Sequence, residues 1–443
     1  MSVREEWGSH HGFTLAAIGS AVGLGNIWRF SYVAGENGGA VFLLLYVLSV
    51  ALVGLPLIIA ELSMGRRGKG DAVAAFSTDG RGWPFVGWLC IGGATVILSY
   101  YSVIAGWALK YFSGAVIGTL WRNGGESFGS YFERFIANMG EPVIWQGVML
   151  AATVVVISGG IQGGIELFNR WLMPLLAVLV IALAGYSLTL ENASKGLTFL
   201  FSPDWSALAR PKVYVAALGQ AFFSLGVGMA IFATYGSYMP RGFSLPGCAL
   251  VTVTGDTLFA VAAGLAIFPA VFAFGIDPAA GPELAFVTLP QLFLKMPGGL
   301  VVGAVFFFLL SAAALTSMVS LLEVPVAAVI HRRSWGRKRT AWAMGALIFV
   351  IGLPSALSQG MLKHLTIGGK DILSAIDAAV SNLLLPVGGI FIAIFVGWHV
   401  NRATTLDSAG FAPRRLGRAW LWLLRFMVPL AVLLVLFQSL GLI

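Results

Sequence analysis

The stretch SAVGLGNIWRF, residues 20–30, lies in an apolar run long enough to cross a bilayer, yet it holds two glycines, an asparagine and an arginine. Backbone N–H and C=O groups that face lipid without a partner cost several kcal/mol each. A helix break is therefore tolerated only where protein buries it or where it lines a wet cavity. We interpret the segment Gly23-Leu24-Gly25 as such a break.

A second glycine pair supports this interpretation. Gly226-Val227-Gly228 lies in the middle of another apolar segment, GQAFFSLGVGMAIF. Glycines also allow helices to pack closely, so each pair taken alone has an alternative explanation. Two breaks at corresponding positions in two halves of a chain favour a transporter, because such pairs mark the binding site in many carriers.

The composition indicates an all-α integral membrane protein. Of the 443 residues, 58% are hydrophobic and 10% are charged, and the mean hydropathy is +0.88. The net charge of +8 is compatible with a nucleic-acid partner, but the basic residues are scattered between apolar runs, so we expect none. Cys90 and Cys248 lie in apolar context and indicate neither a disulfide nor a metal site. The phosphate-binding motif GxxxxGK-S/T is absent from the sequence, so ATP-driven pumping is not expected. With a transporter as the leading interpretation, we do not expect an enzyme.

Eleven membrane spans are predicted, and we number them 1 to 11 in chain order. Their approximate bounds are residues 12–35, 40–64, 86–118, 142–158, 164–188, 212–239, 246–275, 300–330, 340–357, 372–399 and 418–441. If spans 1–5 and 6–10 are related halves, the second is inverted relative to the first, because each half has five spans. The chain, 1–443, is then one transmembrane transporter domain with an N-terminal segment 1–11, a first repeat 12–188, a second repeat 212–399 and an eleventh span 418–441.

The distribution of basic residues predicts the orientation. With the N-terminus inside, the inner segments hold 16 Lys and Arg residues and the outer segments hold 8. Because cytoplasmic loops carry the excess of positive charge, we expect a cytoplasmic N-terminus. An odd number of spans then places the C-terminus outside the cytoplasm.

Three stretches carry a specific resemblance. They are WGSHHGFTLAAIGSAVGLGNIWRF at residues 7–30, ENGGAVF at 36–42 and GLPLIIAELSMGR at 54–66. They resemble the opening of the neurotransmitter:sodium symporter family, and the similarity continues through span 10. The resemblance implies a sodium-coupled importer of amino acids or related amines, with inverted five-helix repeats. With eleven predicted spans, the chain resembles bacterial members of the family that carry leucine and other hydrophobic amino acids. This resemblance implies a location in a bacterial inner membrane.

The resemblance also implies two sodium sites, built from the oxygen ligands that a hard cation prefers. The first site is completed by the substrate's own carboxylate, and its protein ligands match Ala21, Asn26, Ser224 and Asp256. The ligands of the second site match Gly19, Val22, Ala313, Thr316 and Ser317. The hydroxyls of Thr316 and Ser317 have an alternative role, because a membrane Ser or Thr commonly bonds within its own helix.

Asp256 is a functional candidate on physical grounds, because an ionised carboxylate at mid-membrane is costly unless it is paired. Chloride-dependent animal members of the family have an asparagine here and a serine four residues later, where this chain has Ala260. We expect Asp256 to supply a fixed negative charge in place of chloride, so that no chloride is required. A corollary is that Asp256 takes up a proton once sodium leaves. The alternative is a structural aspartate bonded to backbone.

The family motif implies how an amino acid is held. The N–H groups near Leu24 and Gly25, with the hydroxyl of Tyr101, match the groups that bind a carboxylate. Backbone carbonyls near Ala21, Phe223 and Ser224 match those that take the amine. Monoamine carriers have an aspartate at the position of Gly23, so a substrate that brings its own carboxylate is expected.

The side-chain pocket implied by the resemblance is mostly apolar. It consists of Ile97, Tyr101, Phe223, Gly226, Met229, Ser317 and Leu321. Gly226 and Met229 replace a serine and a phenylalanine of leucine-carrying members, and less bulk with a flexible thioether admits larger side chains. We expect neutral hydrophobic or aromatic amino acids. A small zwitterion such as a β-amino acid is the alternative.

Further residues match the gates of the family. Arg29 and Asp377 match the outer ion pair, Tyr101 and Phe223 an aromatic lid, and Glu61 a brace of span 6. The inner gate matches at Arg4, Trp7 and Tyr238, but its acidic partner falls near His331, which leaves Arg4 to pair with Glu5, Glu6 or nothing. Glu323 lies near the inner pathway without an assigned role. The outer loop 277–299 is expected to form short helices over the outer face.

Two other classes of protein fit the same fold, namely a channel and a non-transporting sensor. A channel needs a continuous polar lining, whereas the polar residues here cluster at one depth. A sensor is expected to add a soluble signalling domain. The sequence therefore favours a secondary transporter, and it leaves the natural substrate, the sodium stoichiometry and the oligomeric state open.

Overall fold

The computed structural model describes residues 5–80, 82–122, 125–240, 242–278, 284–411 and 414–439, and it is almost entirely helical. Nine helices within these residues are long and apolar enough to cross a membrane. They are Ala40–Gly68, Pro84–Ile117, Glu141–Ser158, Ile161–Leu188, Leu245–Ala273, Gly299–Arg333, Arg337–Ala356, Ile372–His399 and Arg414–Gln438. They correspond to the predicted spans 2–5 and 7–11, and the all-α membrane fold is confirmed.

Spans 1 and 6 are not among these nine because both are broken, as the glycine pairs predict. Span 1 consists of helices His10–Ala21 and Phe30–Glu36, with a π-helical turn Gly25–Arg29 between them. Span 6 consists of Pro211–Leu225 and Ile231–Ser237. Its break contains left-handed backbone at Gly226 (φ +65°), Gly228 (φ +90°) and Ala230 (φ +57°), a conformation that glycine adopts at little cost.

Shorter elements connect the spans. Short helices are Ala72–Ser77, Phe128–Ala137, Ala193–Phe201, Trp205–Ala209, Thr288–Lys295 and Arg402–Ala409. A two-stranded hairpin pairs Thr366–Ile367 with Lys370–Asp371. Within the long spans, single π-helical segments occur at Val50–Gly54, Ile161–Glu166, Val380–Leu384, Phe395–His399 and Leu423–Met427. Thr288–Lys295 supplies the helix expected in the loop 277–299, of which residues 279–283 lie outside the described part.

Two glycines bring span 2 against the second half of span 6. A Cβ atom on Gly65 would lie 1.9 Å from the carbonyl oxygen of Ala233, and one on Gly236 would lie 2.5 Å from that of Leu62. The two helices therefore touch through their backbones, which is the contact that small residues permit between membrane helices. This contact fixes Ile231–Ser237 beside span 2. We call the membrane side that carries Trp7 the inner side, and the opposite side the outer side.

Gly65→Val should weaken this contact, because its Cβ has no space beside the backbone of Ala233. Overpacking typically costs about 1–3 kcal/mol, so the melting temperature of the purified protein in detergent should fall by several degrees. Gly92→Val is the matched control, since Gly92 also lies inside a long span but a Cβ there would meet nothing within 4 Å. Equal melting temperatures for the two variants would contradict the packing described here.

Candidate functional site

The break in span 1 turns backbone amides toward side chains. The N–H of Gly23 donates to Asn26 Oδ1 (2.9 Å), and the N–H of Leu24 donates to the hydroxyl oxygen of Tyr101 (3.0 Å). In a continuous helix these two amides would donate to the carbonyls of Gly19 and Ser20, four residues earlier. The break therefore releases those carbonyls from the helix, as binding a cation or an ammonium group requires.

The break in span 6 is held by one carboxylate. Glu61, fully buried in span 2, accepts hydrogen bonds from the N–H groups of Gly228 (2.8 Å) and Phe232 (3.1 Å). A negative group at the start of Ile231–Ser237 also interacts favourably with the helix dipole. Glu61 lies where the sequence predicts a brace.

Asp256 is the centre of a hydrogen-bonded cluster between spans 1, 2, 6 and 7. Its Oδ1 accepts from Asn26 Nδ2 (2.7 Å) and from Ser224 Oγ (2.8 Å), while its Oδ2 accepts from the hydroxyl of Tyr46 (2.7 Å). The carboxylate is thus bonded to three side chains, whereas the alternative sequence interpretation has it bonded to backbone. Ala21, the fourth residue predicted for the first sodium site, lines the adjoining cavity.

The second predicted sodium site joins spans 1 and 8. Thr316 Oγ1 lies 3.0 Å from the carbonyl oxygen of Val22, and Ser317 Oγ lies 3.3 Å from the same atom. Thr316 also bonds within its own helix, to the carbonyl of Ala313 (2.7 Å), so both roles considered for it occur together. Gly19 lies one turn earlier in span 1. The first cluster offers amide, hydroxyl and carboxylate oxygens. The second offers carbonyl and hydroxyl oxygens. Both donor sets fit sodium.

A narrow cavity lies between the two breaks. Ten of the eleven residues predicted to bind substrate line it, namely Ala21, Gly25, Ile97, Tyr101, Phe223, Ser224, Gly226, Met229, Ser317 and Leu321. Leu24 is not in the lining, but its N–H bonds to Tyr101. Four lining residues were not predicted: Ser20, Gly23, Ile231 and Leu385. Apart from the backbone of the breaks and the hydroxyl groups of Ser20, Tyr101, Ser224 and Ser317, the walls are apolar.

Gly23 leaves no space for a side chain at the polar end of this cavity. A Cβ atom there would lie 2.3 Å from Ser317 Oγ and 2.8 Å from the hydroxyl of Tyr101. An aspartate at this position would therefore displace both groups. The polar end of the cavity is instead formed by backbone and hydroxyl groups, and no charged side chain of the described residues lines it. A bound molecule would therefore have to carry its own charged group in place of such an aspartate.

On the outer side, an open vestibule of about 1,160 Å³ reaches Arg29 and Asp377. The guanidinium carbon of Arg29 lies 4.2 Å from the ring centroid of Phe223, in cation–π geometry. Asp377 accepts hydrogen bonds from Tyr100 (2.9 Å) and Ser381 (3.3 Å). Among the described residues, Arg29 and Asp377 form no ion pair with each other, so the predicted outer pair is separated in this conformation.

The inner side is closed by the N-terminal segment. The indole N–H of the buried Trp7 donates to the carbonyl of Tyr235 (2.9 Å), and its backbone N–H donates to that of Tyr238 (3.2 Å). Arg4, the other predicted inner residue, lies outside the described residues. His331, near which the family's acidic partner falls, lies beside Gly70 instead of facing Trp7.

An ion-pair cluster that sequence reasoning missed lies next to Trp7, and we call it the inner cluster: Glu5, Tyr238, Glu323 and Arg337. The fully buried carboxylate of Glu323 accepts from both terminal nitrogens of Arg337 (2.8 and 3.1 Å) and from Tyr238 (2.7 Å). Arg337 also pairs with Glu5 (2.7 Å). The sequence analysis placed Tyr238, Glu323 and Glu5 near the inner pathway but did not pair them. Arg337 lies in a basic run, residues 332–339, that was counted as loop charge.

Comparison of the sequence with known proteins identifies a family. The profile of the "Sodium:neurotransmitter symporter family" matches residues 4–131 and 130–442, which together are nearly the whole chain. The chain is a member of the sodium:neurotransmitter symporter family. As a member it is a sodium-dependent, multi-pass membrane transporter, which confirms the resemblance and the expectation that the protein is not an enzyme.

Individual proteins are similar over nearly the whole of this chain. A Bacillus subtilis protein named as an uncharacterized sodium-dependent transporter is 38% identical over 98% of this chain and 98% of its own. Sodium-dependent nutrient amino acid transporter 1 of Drosophila grimshawi is 25% identical over 98% of this chain and 76% of its own. The crystal structure of MhsT in complex with L-phenylalanine is also similar to this structure, with a TM-score of 0.92 and 49% sequence identity. The match covers 99% of this chain and 100% of the MhsT chain.

Glu323→Gln should loosen the inner closure of this symporter, because it leaves the guanidinium of Arg337 without its buried partner. Breaking a buried pair typically costs about 3–5 kcal/mol. The native thiol of Cys248, buried and 3.4 Å from His10 between spans 1 and 7, is the reporter. In a Cys90→Ala background, maleimide should label Cys248 at least about tenfold faster in the variant, since about 1.4 kcal/mol corresponds to tenfold.

Glu126→Gln is the control for this measurement, because it removes a charge from the exposed pair with Arg134 on the outer side. Exposed pairs contribute about 0–1 kcal/mol, so labelling of Cys248 should stay at the rate of the Cys90→Ala parent. An unchanged labelling rate in Glu323→Gln would show that the inner cluster does not hold the closed state.

Proposed function

We propose that the protein is a sodium-coupled symporter that imports neutral hydrophobic or aromatic amino acids by alternating access. The observation that carries this proposal is the cavity between the two breaks, which is polar at one end and apolar elsewhere. The N–H of Leu24 and the hydroxyl of Tyr101 meet at 3.0 Å, where a substrate carboxylate would bind both. The apolar wall of Ile97, Met229, Ile231, Leu321 and Leu385 suits a hydrophobic side chain.

MhsT was crystallised with L-phenylalanine and is 49% identical to this chain, which supports an aromatic or aliphatic amino acid as substrate. The absence of a side chain at Gly23 supports a substrate that brings its own carboxylate. A small zwitterion would leave most of the apolar wall without contact. Burying a larger apolar side chain there contributes roughly 25 cal/mol per Å².

We propose two sodium sites. Site one is formed by Ala21, Asn26, Ser224 and Asp256 with the substrate carboxylate, and site two by Gly19, Val22, Ala313, Thr316 and Ser317. Sodium in site one and the bound amino acid would then share one carboxylate, so each increases the affinity of the other by the same factor. This shared ligand is the basis of the proposed coupling. Site two would join spans 1 and 8 when sodium is bound.

We further propose that transport requires no chloride, because Asp256 supplies the negative charge beside site one. Its carboxylate is bonded to the amide of Asn26 and to the hydroxyls of Ser224 and Tyr46, which are the donors that an anion at this place would need. When sodium leaves site one, Asp256 takes up a proton, since a buried negative charge without a cation beside it is costly.

The proposed location is a bacterial inner membrane, with the N-terminus in the cytoplasm and the C-terminus outside it. The two-to-one bias of basic residues supports this orientation. The vestibule at Arg29 and Asp377 then faces the periplasm or exterior, and Trp7 and the inner cluster close the cytoplasmic side. Substrate would enter through the vestibule and pass the ring of Phe223.

Amino acids should stabilise the purified protein only in sodium. In a thermal-shift screen, phenylalanine, leucine and related amino acids at about 100 times their Kd should add about 2.7 kcal/mol, whereas β-alanine should add little. Met229→Phe is the site control, because it fills the apolar wall and should weaken binding of phenylalanine more than binding of alanine. Stabilisation that is equal in sodium and choline, or that no amino acid produces, would refute the proposed coupling.

Sodium-dependent uptake of amino acids into proteoliposomes would distinguish a carrier from a sensor that binds amino acids without transporting them.

Asp256→Asn should make uptake depend on chloride. Replacing chloride by gluconate should leave wild-type uptake unchanged, while uptake by the variant should fall at least about tenfold, since the charge beside site one is worth 1.4 kcal/mol or more. Tyr46→Phe is the control, because it removes one hydrogen bond to Asp256 and keeps the charge. Wild-type uptake that stops in gluconate would refute the proposed role of Asp256.

A further inference from the structure

A stripe of arginines and aromatic residues follows one exposed face of span 11. Arg414, Arg418, Trp422 and Phe426 are spaced four residues apart, so they lie on about the same side of the helix. Trp422 is 57% exposed and Phe426 is 49% exposed. With a rise of about 1.5 Å per residue, the two arginines lie about 6 and 12 Å beyond Trp422 along the helix. The stripe is therefore basic at the start of the span and aromatic further in.

The basic end of this stripe lines an open cavity of about 510 Å³. The opposite wall is the short helix Arg402–Ala409, which contributes Arg402 and Asp407. Arg402, Arg414 and Arg418 are exposed, and within the part of the chain that the structure describes neither Arg402 nor Arg418 forms an ion pair. Arg414 lies 3.7 Å from Asp407, but exposed pairs of this kind are weak. The cavity therefore has an excess of positive charge.

Hydrogen bonds place this cavity on the inner side. Arg66 lies at the inner end of span 2, next to the backbone contact at Gly65. It donates to the carbonyl of Ser408 (2.8 Å) and to that of Phe243 (2.8 Å). Helix Arg402–Ala409 is thus tied to the inner end of span 2, and the arginines of the cavity face the inner surface of the membrane.

Three exposed aromatic rings lie below the cavity, toward the middle of the membrane. Trp398, at the inner end of span 10, donates from its indole N–H to the carbonyl of Arg425 in span 11 (3.2 Å). The ring of Phe426 lies 5.6 Å from that of Trp398 and 5.9 Å from that of Trp422, between centroids. Exposed tryptophans are typical of the level where lipid headgroups meet hydrocarbon. The arginines above them are therefore at the level of the headgroups.

We propose that this surface binds an anionic phospholipid of the inner leaflet. Its phosphate would lie in the cavity between Arg402, Arg414 and Arg418, since guanidinium groups bind phosphate oxygens with paired N–H donors. Its acyl chains would lie along Trp422 and Phe426. A headgroup that carries its own cation fits less well, because the arginines outnumber the carboxylate. The usual excess of positive charge on inner loops explains the sign of these residues, but not their convergence on one cavity above exposed aromatic rings.

Native mass spectrometry of the detergent-purified protein tests this inference. Phosphatidylglycerol and phosphatidylcholine with the same acyl chains are titrated separately, and wild type should bind phosphatidylglycerol at least about tenfold more tightly. Arg414→Gln combined with Arg418→Gln should weaken its binding at least about tenfold and remove the preference, because each arginine near an anionic headgroup contributes about fivefold. Asp407→Asn should strengthen the binding, because it removes the carboxylate beside Arg414.

Arg333→Gln is the matched control. Arg333 is also an exposed arginine at the inner end of a span, span 8, but it belongs neither to the stripe nor to the cavity lining. Its affinity for phosphatidylglycerol should equal that of wild type. Trp422→Ala should weaken binding of both lipids by the same factor, since it removes contact with the acyl chains and keeps the charges. The melting temperature without added lipid shows whether each variant is folded.

Three results would overturn the inference. Equal affinity of wild type for the two lipids would show that the headgroup is not recognised. An equal loss in Arg333→Gln would show that only the overall charge of the inner surface matters. Displacement of phosphatidylglycerol by the same concentration of inorganic phosphate would identify a site for a soluble anion, which needs no aromatic contact. Because none of these measurements involves sodium or amino acids, their failure leaves the proposed transport function intact.

Discussion

The structure depends on one constraint, which is that backbone polar groups inside a membrane must find partners within the protein. Both broken spans violate helical pairing at mid-depth, and buried side chains restore it in both. Asn26 and Tyr101 accept the free amides of span 1, and Glu61 accepts those of span 6. These acceptors belong to spans 1, 2 and 3, so the breaks are stable only within the assembled bundle.

Asn26, which accepts a free amide of the break in span 1, also belongs to the proposed first sodium site. Asn26 accepts from Gly23 through its oxygen and donates to Asp256 and Ser224 through its nitrogen, so one side chain links the break in span 1 to spans 6 and 7. Tyr46 extends the network to span 2. Displacement of any member therefore affects the backbone of the break and the proposed first sodium site together.

The sequence was sufficient to predict the all-α membrane fold, both breaks, and the residues that surround the cavity. Glycines in an apolar run, a lone aspartate and a Thr-Ser pair are conspicuous because each is costly in lipid. Tyr46 and Gln220 were missed since an aromatic or amide side chain in a helix has no evident partner until the fold supplies one. Gln220, for example, donates to the carbonyl of Gly25 (2.8 Å), a contact between two separate spans.

The inner cluster was missed for a related reason. Arg337 lies in a basic run that sequence reasoning assigns to loops, and its partner Glu5 is at the other end of the chain. Charge counting predicts on which side such residues lie but not which of them enter the protein. For the outer residues Arg29 and Asp377 the family pattern predicts the pair, whereas the distance between them depends on the conformation that the bundle adopts.

The two half-helices that face the inner side are anchored very differently. Ile231–Ser237 is attached to span 2 at two points on one face. Glu61 accepts from the N–H of Phe232, and one turn further along span 2 the backbone of Gly65 touches that of Ala233. At the inner end of His10–Ala21, the N–H of Gly8 and the hydroxyl of Ser9 donate to Glu166 of span 5 (2.8 and 2.7 Å), and water can replace such hydrogen bonds. The inner half of span 6 is therefore joined to span 2 partly through backbone contact that water cannot replace, whereas the inner end of span 1 is joined to span 5 through hydrogen bonds that water can replace.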